Sequence, residues 1–345
     1  MENQPETTAP ESQAPVTPPV STPKSRLPLI IALGVVLLLL VLASVWAYTR
    51  PDTQTTSNTT PAQATATPTA TPAAIKITAT EKGKLILSGG YADPTVVPIA
   101  SGYRMYVNRQ SGGPGGYLTY TSRDGITWTK EKDIIISGVA TGRAIVLPTG
   151  IRFYYPGVQP IKATDPQADM YSSFSTDGTA FTKDAGKVLS PRTSGHYVEG
   201  PTVFQLPDKT WRMYFNENTV AAGNQRDGAI WGASSADGLT WTRDEALTME
   251  ADATENVNKS PWKQVLHPFV LANPKGGYIM LYNSHSELYA ATSTDGLTWK
   301  KIGYVGIHGA DIDGYFQEDG TIRVYYGDFD EKTGGLVYMG ILKVE

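Results

Sequence analysis

The chain has 345 residues, no cysteine and a formal net charge of −4. Without cysteine there is no disulfide framework and no thiol or thiolate-metal chemistry, and the weak negative balance offers no broad basic surface for nucleic acid. The 19 tyrosines and 34 glycines suit aromatic-rich strands joined by many turns.

Residues 1–26 are rich in Pro, Thr, Ser, Gln and Glu and lack the apolar side chains that would offset ordering entropy, so a disordered cytoplasmic tail is expected. Residues 27–49 carry no charge and are dominated by Leu, Val, Ile and Ala. As a helix they would span roughly 34 Å, enough for the hydrocarbon core of a bilayer, with Trp46 and Tyr48 at the headgroup level. The apolar run is too long for a cleaved signal peptide, so the expectation is a single-pass transmembrane anchor. Lys24 and Arg26 on the near side favour an extracellular C-terminal domain at the cell surface. Residues 50–74 mix Thr, Ala and Pro, the composition of a semi-stiff extended linker.

From about residue 75 the pattern changes to short strands of period two. One phrase, Ser-x-Asp-Gly-x-x-aromatic, occurs as SRDGITW (122–128), STDGTAF (175–181), SADGLTW (235–241) and STDGLTW (293–299). Its aspartates, Asp124, Asp177, Asp237 and Asp295, recur at intervals of 53, 60 and 58 residues, which suits a four-stranded propeller blade. First-strand segments begin near Asp93, Thr141, Glu199, His267 and Asp311, giving five units. The fifth lacks the phrase, so the ring is expected to close with a strand from 75–78 or 84–87, which removes an exposed sheet edge. The fold class is therefore all-β, a five-bladed β-propeller over 75–345, expected as a monomer.

Asp-Gly between strands is a hairpin signal, and the aspartate accepts turn amides, so the phrase reads as scaffold. It marks the face opposite the entrances to the first strands. Around that other mouth the sequence places Asp93, Glu199, His267 and Asp311, with Thr141 or Arg143 from the second unit. Loops on the same face add Asn108, Arg109, Asp165, Asp169, Asn216, Glu217, Asn283, His285, Asp328 and Asp330. All four histidines, His196, His267, His285 and His308, fall in these regions and suggest a polar pocket. No His-x-His or spaced carboxylate cluster marks a metal centre; no cofactor is expected, and a structural metal ion in the channel is the one exception left open.

The pieces YADPTVV (91–97) and VEGPTVF (198–204) resemble the five-bladed glycoside hydrolases, such as arabinanases, β-xylosidases and invertases, and the blade rhythm extends the likeness over 84–345. The resemblance implies Asp93 as general base or nucleophile and Glu199 as general acid, the two carboxyl groups that cleavage of a glycosidic bond requires. That family places another Asp at the head of the second blade, where this chain has Ala140-Thr141-Gly142-Arg143. Asp165 or Asp169 could reach in from a loop, or Arg143 could bind an anionic sugar through paired hydrogen bonds. The hairpin phrase is similar to the Asp-box of sialidases, although theirs has an extra residue between Asp and Gly, and no arginine triplet is seen here. Substrate-binding candidates are Arg143, Asp169, His196, Trp262, His267, His285 and Asp311, with Tyr91 and Tyr197 as further rings able to stack on sugars. The reading is a membrane-anchored extracellular glycoside hydrolase with a carbohydrate partner. The alternatives are a carbohydrate-binding or adhesion propeller without chemistry, and a protein-interaction platform.

Overall fold

The computed structural model describes residues 75–111, 115–157, 168–193, 195–219, 227–255 and 263–345. The tail, anchor and linker expected over 1–74, together with Asp165 and Trp262, lie outside the described residues. Every helix or strand within them is a strand, and these strands pair into five four-stranded sheets. Blade 1 contains β2 (Tyr91–Ile99), β3 (Gly102–Arg109), β4 (Gly116–Ser122) and β5 (Thr129–Ser137). Blade 2 contains β6 (Arg143–Leu147), β7 (Gly150–Pro156), β8 (Met170–Ser175) and β9 (Thr182–Lys183). Blade 3 contains β10 (His196–Gln205), β11 (Trp211–Thr219), β12 (Gly228–Ser235) and β13 (Thr242–Arg243). Blade 4 contains β14 (Leu266–Ala272), β15 (Tyr278–Ser284), β16 (Glu287–Ser293) and β17 (Lys300–His308). Blade 5 contains β18 (Ala310–Phe316), β19 (Ile322–Asp330) and β20 (Gly334–Val344), completed by β1 (Ile77–Ser88).

The ring closes antiparallel, from Ile77 opposite Val344 to Ser88 opposite Leu336. Both segments considered for closure belong to the same strand. Without β1, the long β20 would present an unpaired edge.

Five buried clusters fill the five gaps between neighbouring blades. Phe153, for example, packs edge-on against Tyr106 and Tyr117 between blades 1 and 2, while Met105, one residue before Tyr106, points the other way into the gap with blade 5. Strand alternation puts successive side chains on opposite faces, and in a propeller both faces are buried against a neighbour. The central strands are therefore buried almost throughout, polar residues included.

The repeated phrase does more than turn the chain. In each copy the serine hydroxyl and the amides two and three residues beyond the aspartate converge on one carboxylate oxygen, as Ser122, Ile126 and Thr127 do on Asp124 at 2.8–2.9 Å. Those amides hold the exposed Asp124 carboxyl well below the usual carboxylate range. The glycine carbonyl of each copy then accepts a tyrosine hydroxyl from the preceding blade: Tyr106 to Gly178, Tyr154 to Gly238, Tyr214 to Gly296 and Tyr325 to Gly125. Each of these tyrosines ends an Arg-x-Tyr triplet on the second strand of its blade. Blade 4 precedes the blade without the phrase, and it carries Ile279 and Leu281 at the triplet positions, packed against Ile77 and Leu342. Latch and receptor are lost together. Tyr154→Phe deletes one such donor and leaves a buried carbonyl unpaired. It is expected to cost about 1–2 kcal/mol in urea unfolding, and an unchanged midpoint would reject the latch.

Candidate active site

The first strands of the blades enter the channel through a repeated local irregularity. Asp93, Thr141, Gly200, His267 and Asp311 occupy equivalent positions and all have left-handed backbone, with φ of 50°, 46°, 57°, 51° and 55°. In blades 1, 3, 4 and 5 the strand register slips at this point. Proline follows Asp93, Gly200 and His267, which disfavours helical backbone before it and removes an amide that the bulge leaves without a ladder partner. Holding non-glycine residues here costs of order 1–3 kcal/mol each, a strain that tends to collect where side chains must be aimed.

Register also corrects one alignment. Glu199 is not the counterpart of Asp93. It pairs with Asn216 as Ala92 pairs with Asn108, so Glu199 stands one residue before the bulge and Gly200 takes the strained position. Glycine accepts that φ without a Cβ penalty, which leaves Glu199 in regular strand.

The mouth is a polar network. Asp93 is 4% exposed, and one of its oxygens accepts Asn108 Nδ2 at 2.9 Å and the Thr141 amide at 2.8 Å. The Asp311 carboxyl stands beside it, close enough for its charge to be felt. Asp311 contacts His267 Nδ1, while His267 Nε2 lies 3.6 Å from Glu199 Oε1. Glu199, 1% exposed, accepts Asn218 Nδ2 at 2.5 Å. A continuous path thus runs from Asp93 through Asp311 and His267 to Glu199. Burial, with the charge of Asp311 added, pushes the Asp93 carboxyl up to about 7. Burial opposes charge on His267, but Asp311 and Glu199 outweigh it and hold the imidazole proton well above its ordinary range. The same imidazolium keeps Asp311 below the usual carboxylate range against its own burial.

Beneath this network Arg143 crosses the channel. Its Nη1 donates to Asp313 Oδ2 at 2.6 Å and to Ile312 O at 2.8 Å, and its Nε to Pro201 O at 3.4 Å. The guanidinium is committed to the protein before any uronate arrives. The space among Asp93, Thr141, Arg143, Gly200, His267 and Asp311 is about 10 Å³, on the scale of one water. Wider hollows of about 580 and 620 Å³ lie beside the Asp124 turn and at the far ends of β2, β6 and β10. The acidic network belongs to neither.

The other sequence candidates disperse. Asp169 faces Lys187 at 3.4 Å on blade 2, and His196 sits 3.4 Å from Glu217 in a cluster with Arg243. His285 lies in the tight turn before β16, and His308 is exposed beside Glu287. Tyr197 is buried in the fold, and Tyr91 packs edge-on to Tyr120. Sequence reasoning missed Asn218 and Asp313. The signal for Asn218 was period two, since it lies two residues from Asn216 in unbroken register; Asp313 lies across the bulge from Asp311, where that spacing gives no such signal. Among the described residues no group of three or more His, Asp or Glu is arranged to hold a metal ion.

No family model and no curated protein matches the chain. Solved structures do. A thermostable family-43 glycoside hydrolase is 17% identical with a TM-score of 0.60, over 76% of this chain and 96% of that one. A family 117 glycoside hydrolase from Zobellia galactanivorans is 12% identical at 0.57, over 77% and 90%. An endo-arabinase from Bacteroides thetaiotaomicron is 14% identical at 0.54, over 75% and 97%. The architecture is that of the five-bladed propeller glycoside hydrolases, and at these identities the likeness is one of fold.

Proposed function

We propose that this propeller is a glycoside hydrolase acting on an oligosaccharide or polysaccharide, with Glu199 as general acid and Asp93 as general base or nucleophile. The observation that carries the reading is the convergence of these two carboxyl groups at one mouth, each fixed by an asparagine of its own blade. Glu199 protonates the glycosidic oxygen as the bond to the anomeric carbon breaks; Asp93 takes a proton from water or attacks that carbon. The His267 imidazolium then lies beside the Glu199 carboxylate that proton donation leaves. A base poised near 7 suits catalysis at neutral pH. Residues 27–49 anchor the chain in a membrane as a single span, and 50–74 hold the propeller on the extracellular side. A specific pair of observations favours a second reading, sugar binding without turnover: Thr141 stands where the resemblance calls for an acid, and the gap is small.

The test is reducing-end release by the full-length protein on arabino-, xylo-, fructo- and mannooligosaccharides. Turnover is expected to rise with pH through about 7 as Asp93 ionises, and Glu199→Gln is expected to lower it by roughly 100-fold or more. Wild-type rates in Glu199→Gln would reject the mechanism, and binding with no release of reducing ends would favour the second reading.

A further inference from the structure

Strand β19 alternates its faces, and Arg323, Tyr325, Gly327 and Phe329 share the side turned toward blade 1. Tyr325 reaches the Gly125 carbonyl of that blade, and Arg323 the Asp124 carbonyl. Further up the same face, a Cβ added to Gly327 would stand 3.5 Å from Asp311 Oδ2 and 4.0 Å from the Asp93 amide nitrogen. By register, Gly327 occupies the position that Asn108, Asn216 and Asn283 hold in blades 1, 3 and 4. Blade 5 alone among these four leaves it without a side chain, directly beside the Asp93–Asp311 pair.

Two residues on, Phe329 holds the place that Asn218 holds in blade 3, where the side chain reaches Glu199. Phe329 is 69% exposed, the most exposed large hydrophobic side chain among the described residues. Its hairpin is well fixed. Asp330 Oδ1 accepts the Lys332 and Thr333 amides at 3.0 and 2.9 Å, and the Gly90 amide donates to Gly335 O at 3.0 Å. The result is a bare aromatic ring two residues along the strand from a glycine that stands beside the Asp311 carboxyl. Aromatic rings pack on the apolar faces of sugars. The charge at the mouth selects among sugars: Arg143 is committed to Asp313, and the His267 imidazolium lies between Asp311 and Glu199, so neither of these cations is free to pair with an anionic sugar. A neutral sugar needs no such partner.

We infer that Phe329, two residues along the strand from Gly327, is the stacking platform of a subsite that takes a neutral glycosyl unit. This rests on reading the mouth as a carbohydrate site. The experiment measures binding by titration calorimetry in the full-length Glu199→Gln background, with arabinotetraose, xylotetraose, mannotetraose and trigalacturonate as probes. At least one neutral probe is expected to bind. Phe329→Ala should weaken it roughly 5- to 10-fold, Phe329→Trp should restore it, and Gly327→Asn, which installs the residue of the other blades, should weaken it also. Unchanged affinity in Phe329→Ala, failure of every neutral probe to bind, or tighter binding of trigalacturonate would overturn the inference. Binding that depends on Phe329 in a protein with no turnover keeps the subsite and rejects hydrolysis. Turnover by the wild type with a KM indifferent to Phe329→Ala does the reverse.

Discussion

Replacing Arg143 with alanine is expected to lower stability by about 3–5 kcal/mol, measured by urea unfolding. The side chain starts on blade 2 and binds blade 3 at Pro201 O and blade 5 at Ile312 O and Asp313, with its guanidinium 5.1 Å from the Phe269 ring centroid of blade 4. Four blades meet on one planar cation. Burial already raises the Asp313 carboxyl above its ordinary range although Arg143 opposes it, so removing the cation leaves a buried acid with no counter-charge. Arg143→Lys should recover little, because an ammonium cannot reproduce the spread of the guanidinium's donors. The double variant Arg143→Met/Asp313→Leu should be far less damaged than the two single changes together, because the apolar pair leaves no stranded charge. A single-mutant cost below about 1 kcal/mol, or a coupling energy near zero in the cycle, would show that the pair does not hold the ring.

Much of this architecture was legible because the signals were local. Asp-Gly turns mark hairpins wherever they occur, and the four copies of the phrase therefore counted blades and announced the ring closure by β1. The tyrosine latches were also written in the sequence, as Arg-x-Tyr triplets at 104–106, 152–154, 212–214 and 323–325, but a triplet acquires meaning only beside the turn of the next blade. The mouth was harder. Asp93, His267 and Asp311 were found because all are polar residues at strand entrances, and the structure brings them together. Arg143 was found too, but its reach toward Asp313 depends on how the blades are inclined around the axis, which no strand pattern encodes. The single-residue offset of Glu199 arises from a bulge, and a bulge changes which face a side chain takes without altering the apolar rhythm around it. Phe329 escaped for a related reason. An aromatic in a strand of period two reads as core, and only the length of β19 beyond its buried part places this one in solvent.

Asp93→Asn is expected to raise the stability of the protein at pH 8 while leaving it nearly unchanged at pH 4. Burial and the Asp311 charge lift the Asp93 carboxyl to about 7, above its ordinary value of 3.8, so folding favours the protonated form. That contribution is fully present below about pH 4 and is lost as pH rises through about 7, where the buried group ionises and the folded state carries the penalty. A shift of this size corresponds to about 4 kcal/mol at pH 8. Asparagine suits the site because its oxygen can accept Asn108 and the Thr141 amide while its nitrogen stands beside the Asp311 carboxyl, the arrangement of the protonated acid without its titration. Thermal unfolding of the two proteins from pH 4 to pH 8 measures the divergence, and parallel curves would reject it. The same substitution removes the proposed base, so the more stable protein should also be the inactive one. A fold that keeps a destabilising acid where a stable amide fits has accepted strain at that position, as functional sites commonly do. Stability and turnover moving in opposite directions on one atom's exchange is the outcome that separates a working carboxyl from a structural one.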